Sequence, residues 1–245
     1  MGRWGVEFVT KQQNGRVTSS HSIILVYGGQ RPIQRDGRTP KSLDNGRARA
    51  NLSAVKPNCP VARRGDYVFG EIEHAQGLEF IRKHHYAGNA SKTGKMFGMA
   101  RALPDGRYWL VGVAQWLPPT KVCAQSVQPG RWRRVISLTR VVVSPGEPQN
   151  ATGMLVGKAI CWIRERGWVS AVTFADDSQG HTGVIYRATN WKYKGETRAS
   201  PRWVDSEGRQ VSTKAGAVTR RKQQMLDLGY RCEGNFKKHK FVLHL

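Results

Sequence analysis

Val135-Ile136-Ser137-Leu138-Thr139-Arg140-Val141-Val142-Val143, then Ser144-Pro145-Gly146, then a run from residue 150 to 166, is the stretch on which the fold turns. Six of the first nine residues are β-branched, which favours a strand. The Ser-Pro-Gly break ends that strand. In the following run Met154, Leu155, Ala159, Ile160 and Ile163 recur near helical period, which predicts a helix over 150–166. Free backbone N–H groups at the start of such a helix, aided by the helix dipole, can hold a pyrophosphate. That makes Asn150, Ala151, Thr152 and Gly153 candidate cofactor contacts, with an ordinary strand-turn-helix as the alternative. Glu147 in the same turn would repel a phosphate placed beside it.

Working outward, 66–72 reads as a strand, and Leu78, Phe80, Ile81 and His85 suit a helix whose start Gly77 weakens. Strands are expected at 95–103 and 107–117, linked by the hairpin signal Pro104-Asp105-Gly106. Further on come a buried-type strand at 168–174, a short helix at 181–188 and a strand at 191–197. The tail from Arg198 reads as a polar linker, a basic helix over 214–228 capped by Gly229, and a last strand at 241–245. One long helix in a β-α-β-β-β-α-β-α-β order is the layout of Gcn5-related N-acetyltransferases. The expected fold class is α/β (α+β), a mixed sheet flanked by helices. The expected division is a basic arm at 1–65, a catalytic domain at 66–197 and a basic extension at 198–245 that completes it. In the arm, 22–27 is β-rich and ends at Gly28-Gly29, and the residues after it have little apolar periodicity.

Charge narrows the partners. The chain has 245 residues and a formal net charge of +23. Residues 1–70 carry 12 basic and 4 acidic groups, 71–190 carry 15 and 8, and 191–245 carry 13 and 5. The excess is denser at the two ends, and such a field draws in a polyanion, most often a phosphate backbone. Candidate DNA contacts are Arg35, Arg38, Arg47 and Arg49 in the arm and Arg220, Arg221, Lys237, Lys238 and Lys240 in the extension. Cys59, Cys123, Cys161 and Cys232 form no CxxC pair, which argues against a zinc finger or a disulfide framework. Apolar runs such as 23–27 are too short to span a bilayer. A soluble, cytoplasmic protein with reduced thiols is the expectation.

Three stretches could carry chemistry. In Lys83-His84-His85-Tyr86-Ala87-Gly88, a His and a Tyr could polarise an amine or ligate a metal, or simply pack. In the run from Phe174 to Tyr186, Asp176 follows a buried strand, where open α/β sheets place ligands. Asp176, His181 and Tyr186 offer donors suited to Fe(II) or Mn(II); Asp177 or Ser178 could instead cap the next helix. In Gln115-Trp116-Leu117-Pro118-Pro119-Thr120-Lys121, Trp116 could stack on a base or lie in the core.

These stretches combine into a resemblance. His84-His85-Tyr86, Ala114-Gln115-Trp116-Leu117-Pro118-Pro119-Thr120, Leu138-Thr139-Arg140, Pro148-Gln149-Asn150, Ala175-Asp176 and the twelve successive positions from Gly180 to Trp191 resemble the Mom family of phage DNA-modifying proteins. The similarity covers roughly 66–195, and Lys238-His239-Lys240-Phe241 looks like the basic ending of many relatives. The resemblance implies an acetyltransferase-like fold. It implies conversion of the exocyclic amine of adenine in double-stranded DNA to a carbamoylmethyl amine, which shields phage DNA from host restriction in the bacterial cytoplasm. It implies iron (Fe2+), with His85, Tyr86, Asp176 and Tyr186 as catalytic and metal residues, and Arg140 holding the phosphates of acetyl-CoA or a related acyl donor. The family's polar helix-start residue falls near Thr152 or Gly153, and Gly153 could not supply a hydroxyl. Adenine would be flipped out of the stack, with Trp116 or Tyr86 against it. The alternatives are a conventional acyl-CoA-dependent N-acetyltransferase acting on a protein or small amine, and a non-catalytic DNA-binding protein.

Overall fold

In the structure, a computed structural model, residues 8–9, 22–23, 63–88, 90–104, 107–215 and 218–245 are described. The arm's Arg35, Arg38, Arg47 and Arg49, most of the 22–27 strand and the tip of the Pro104-Asp105-Gly106 hairpin lie outside the described residues.

In chain order the elements are β1 (Phe8–Val9), β2 (Ser22–Ile23), β3 (Tyr67–Glu71), α1 (His74–His84), β4 (Lys95–Ala102), β5 (Tyr108–Leu117), α2 (Lys121–Val127), β6 (Val135–Val143), α3 (Ala151–Glu165), β7 (Ser170–Asp176), α4 (Val184–Ala188), β8 (Lys192–Glu196), β9 (Ser200–Val204), β10 (Gln210–Val211), β11 (Lys214–Ala215), β12 (Val218–Thr219), α5 (Lys222–Asp227), β13 (Arg231–Phe236) and β14 (Lys238–His244). A seven-stranded sheet in the order β3-β4-β5-β6-β7-β14-β8 is the centre of the molecule.

Alternation along the strands sorts the core into two layers. On β4, Phe97 and Met99 face α3, while Met96 and Ala100 face α1. Leu155, Val156, Ala159 and Ile163 of α3 are fully buried on one face, and Phe80 and Ile81 of α1 on the other. Each of these side chains larger than Ala159 contributes about 1.5–3 kcal/mol through its burial. Gly77 lies inside α1 rather than at its start, because α1 sits so close to β4 that a Cβ there would come 2.8 Å from Met96 Cγ.

All pairings in the large sheet are antiparallel except β6 with β7. That parallel pairing runs only from Val135↔Ser170 to Leu138↔Thr173. Beyond it β6 continues against β5 as far as Val143, and β7 continues against β14 as far as Asp176. The sheet therefore splays open at Thr139 and Phe174, and the candidate site lies at this opening.

The C-terminal region departs from the expectation of a linker and one long helix. Residues 200–204 form β9, the middle strand of a three-stranded sheet β10-β9-β13 that buries Trp203, Val204 and Met225. The helix expected over 214–228 is only α5, preceded by the β11–β12 hairpin. β-Branched Val218 and Thr219 favour extended backbone, and Met225 is the one buried residue of α5. The last strand starts at Lys238 instead of 241 and is inserted between β7 and β8, with Phe241 and Val242 both buried. A strand covered on both faces lacks alternation, which hid its basic first half.

Candidate active site

Asp176 ends β7 at the splay and is nearly buried. Its Oδ1 accepts from the Ser178 backbone N (3.1 Å) and from Ser178 Oγ (2.7 Å). Asp176 itself therefore caps the short 3-10 turn over 177–179, rather than Asp177 or Ser178 capping the next helix. The following loop turns through Gly180 and Gly183, both at positive φ. Gly183 has no substitute here: a Cβ would come 2.3 Å from the Phe241 ring. This loop carries His181 and then Tyr186, which is buried against Trp191 and Phe241 at ring distances of 5.7 and 5.3 Å. Burial raises the Tyr186 pKa, and a hydrogen bond with Thr173 partly opposes that.

His85 caps the end of α1 with extended backbone instead of continuing the helix. It stacks on Tyr86 (4.3 Å), and Tyr86 meets the edge of His181 (5.5 Å). Burial, reinforced by the charge of Arg140, lowers His85 to about 4, so it is neutral at physiological pH. Its Nδ1 accepts from the Ala87 backbone N (3.1 Å), which leaves the ring proton on Nε2. Burial and the neighbouring Asp176, to which it hydrogen-bonds, push Tyr86 up to about 12.

His85, Tyr86, Asp176 and Tyr186, expected from sequence as one set, all line a single cavity of about 440 Å³. Thr139, Phe174 and Gln149 line it as well, although sequence reasoning had not assigned them to the site; only the divergence of β6 and β7 exposes the first two. Of the helix-start group, Thr152 reaches the cavity. Ala151 does not: its side chain is buried, and its N–H is taken by Pro148 O at 2.9 Å. Asn150 is exposed at the N-cap, and Gly153 has open space around its Cα. Glu147 is drawn away from the turn by Tyr67 Oη (2.6 Å) and Arg101 Nη2 (2.7 Å), so its charge is compensated.

The other expected contacts divide between the edge of this cavity and places away from it. Arg140 lines a second cavity of about 520 Å³ and donates to Thr139 O (2.8 Å). Trp116 is completely buried in the α3-facing core and has no face to offer a base; it points into the sheet layer, not out of the strand end. Lys237 is paired with Glu196 at 2.7 Å, Lys238 lies 3.9 Å from Asp176, and Lys240 donates to Ser126 Oγ at 2.8 Å. Arg220 and Arg221 sit beside the β11–β12 hairpin, not on a long helix.

Among the described residues no three His, Cys, Asp or Glu converge as a metal-binding group. A metal on His85 Nε2 would also require a proton on Nδ1, the atom that accepts from Ala87. Neither observation supports iron at these residues.

The Mom protein family model matches residues 66–244. The chain belongs to the Mom protein family. No curated protein matches it. Among solved structures it is similar to a Drosophila melanogaster polyamine N-acetyltransferase (13% identity, 74% of this chain and 100% of that one, TM-score 0.42). It is also similar to the Escherichia coli ribosomal-protein-S18-alanine N-acetyltransferase (12%, 73% and 93%, TM-score 0.44). A third is the Sinorhizobium meliloti phosphinothricin acetyltransferase in complex with acetyl-CoA (9%, 74% and 89%, TM-score 0.45). The Mom-family chain has the α/β architecture expected of it, a mixed seven-stranded sheet flanked by helices. No helix among the described residues is long and apolar enough to cross a membrane.

Proposed function

We propose that this Mom-family transferase converts the exocyclic amine of adenine in double-stranded DNA to a carbamoylmethyl amine, protecting phage DNA from restriction in the bacterial host's cytoplasm. The observation that carries the reading is the convergence of His85, Tyr86, Asp176 and Tyr186 on one cavity within the family-matched region.

An adenine amine is a weak nucleophile and must lose a proton as its new bond to carbon forms. Asp176, held in place by Ser178, is the acceptor for that proton, directly or through the Tyr86 hydroxyl hydrogen-bonded to it. Neutral His85 can donate from Nε2 to a carbonyl oxygen of the bound donor and so orient it. Tyr186, packed by Trp191 and Phe241, forms a rigid wall beside the amine. A phosphate-bearing donor such as acetyl-CoA would have Thr152 and Gln149 at the α3 start nearest its phosphates; the amide nitrogen of the carbamoylmethyl group is not in acetyl-CoA, so no bond-making step is assigned to that molecule. The amine nitrogen ends bonded to a methylene carbon, so the overall change is more than acyl transfer.

Mass analysis of nucleosides from plasmid DNA of cells expressing the chain, beside an Asp176→Asn control, tests the reading. The expected result is a deoxyadenosine heavier by one carbamoylmethyl group, nearly absent in the control. An unmodified pool from well-expressed protein, or full modification by Asp176→Asn, overturns it.

A further inference from the structure

Residues 106–146 contain no Asp or Glu but six cations: Arg107, Lys121, Arg131, Arg133, Arg134 and Arg140. Four of these lie on the strap formed by α2 and the 3-10 turn over 129–134, which joins β5 to β6. Thr120 caps α2 by accepting from Cys123 N. Among the described residues the strap cations contact no carboxylate: Lys121 and Arg133 lie over the Trp132 ring (5.6 and 5.0 Å), and Arg134 donates to Gly167 O. Lys240 of β14 reaches the same strap through Ser126. The C-terminal excursion is different. There Arg202, Arg209 and Arg231 are matched by Glu233, Asp205 and Glu207. The strap is thus a continuous cationic surface with an aromatic ring set among its charges.

Beneath it opens the second cavity. Pro118, Pro119, Thr120 and Cys123, at or beside the start of the strap, line the cavity together with Arg140 of β6. Thr139 and Phe174, the residues at which the sheet splays, line both this cavity and the one holding Asp176. Its volume is within the range of about 300–1,000 Å³ typical of small-molecule sites. Gln115 at its wall is immobilised, donating to Ser91 O (2.8 Å) and Thr93 O (3.2 Å).

We propose that the α2 strap seats the phosphates of duplex DNA, and that the second cavity is the port through which an extruded nucleotide reaches the splay, across from the cavity lined by Thr152 and Gln149. The two substrates then enter from opposite sides and meet between β6 and β7. This inference rests on the DNA reading above. It adds a place, the strap and its cavity, that the reading does not require.

Two measurements test it. The first is anisotropy of a fluorescent DNA duplex across a salt series, comparing wild type with Lys121→Gln/Arg131→Gln/Arg133→Gln, whose three side chains are all exposed, and with Arg220→Gln/Arg221→Gln. Each phosphate contact contributes a log–log salt slope of about 0.9, so loss of three should flatten it by about 2.7. The second is maleimide labelling of Cys123 with and without duplex, read by peptide mass, with exposed Cys161 on α3 as internal reference. The expected result is a flattened slope for the strap triple and several-fold slower labelling of Cys123, with Cys161 unchanged. A wild type that does not bind duplex overturns the DNA reading and this inference together. Duplex binding that ignores the strap triple, or that responds only to the Arg220/Arg221 pair, overturns the strap alone. A flattened slope with Cys123 labelled at its full rate overturns the port.

Discussion

Two carboxylates in this molecule share almost everything except their surroundings. The side chains of Glu147 and Asp176 are each 9% exposed. Each has a tyrosine partner raised to about 12, Tyr67 for one and Tyr86 for the other, and each has a cation nearby. Glu147, however, is closed: the Tyr67 hydroxyl and the Arg101 guanidinium both donate to its Oε2, joining the β3–β4 edge to the turn before α3. Asp176 holds Ser178 with Oδ1 and hydrogen-bonds with Tyr86, and its side chain borders open volume. Burial and a perturbed neighbour mark both groups equally, so neither property identifies a site by itself. What separates them is a carboxylate oxygen beside space that a substrate can occupy.

The largest expected effect follows directly. Asp176→Asn keeps an acceptor for Ser178 but removes the proton acceptor. Its turnover should fall by roughly 10²–10⁴ while its melting temperature stays close to wild type. Glu147→Ala should do the reverse, leaving activity per folded molecule nearly unchanged. It strands the Tyr67 hydroxyl, and charge-assisted hydrogen bonds are worth about 1.5–3 kcal/mol; with Arg101 44% exposed, solvent screening places the loss near the lower end. Denaturant midpoints and nucleoside mass analysis on the same two variants decide the matter. If Asp176→Asn loses stability and keeps activity, the contrast is reversed and the site assignment fails.

The same contrast explains what could be read from sequence. The α3-centred half was legible because its signals are local: β-branched runs, a Pro-Gly break and a helical period in Leu155, Ala159, Ile160 and Ile163. The members of the site were legible through family resemblance, yet their meeting depends on β6 and β7 parting after Leu138↔Thr173, and nothing in either strand announces that. The strap over 121–134 went unread because a short capped helix followed by a 3-10 turn has too few residues to show periodicity. The excursion was misread for a different reason. Basic, polar residues over 214–228 satisfy helix propensity, while the actual structure is decided by tertiary burial of Trp203, Val204 and Met225. Trp116 shows the limit most plainly, since a tryptophan near a strand end serves a core or a base equally well until its burial is known.

The smallest effect should appear at alkaline pH, where the two tyrosines sharpen the comparison. Burial first, then Glu147, raises Tyr67; burial first, then Asp176, raises Tyr86. In both cases the folded state holds the phenol proton more tightly than the unfolded chain, whose tyrosine titrates near 10. The stability this contributes is fully present below pH 10 and is lost as pH rises through about 12. Tyr67 is 5% exposed and Tyr86 47% exposed, so solvent screens the second far more. Tyr67→Phe should therefore flatten the alkaline limb of a melting-temperature profile between pH 9 and 12 more than Tyr86→Phe does, within the window set by the two tyrosines. DNA modification at neutral pH should respond in the opposite order, because the Tyr86 hydroxyl faces the cavity and that of Tyr67 faces Glu147. Equal responses of both variants in both measurements would mean that the open and the closed carboxylate are not functionally distinct.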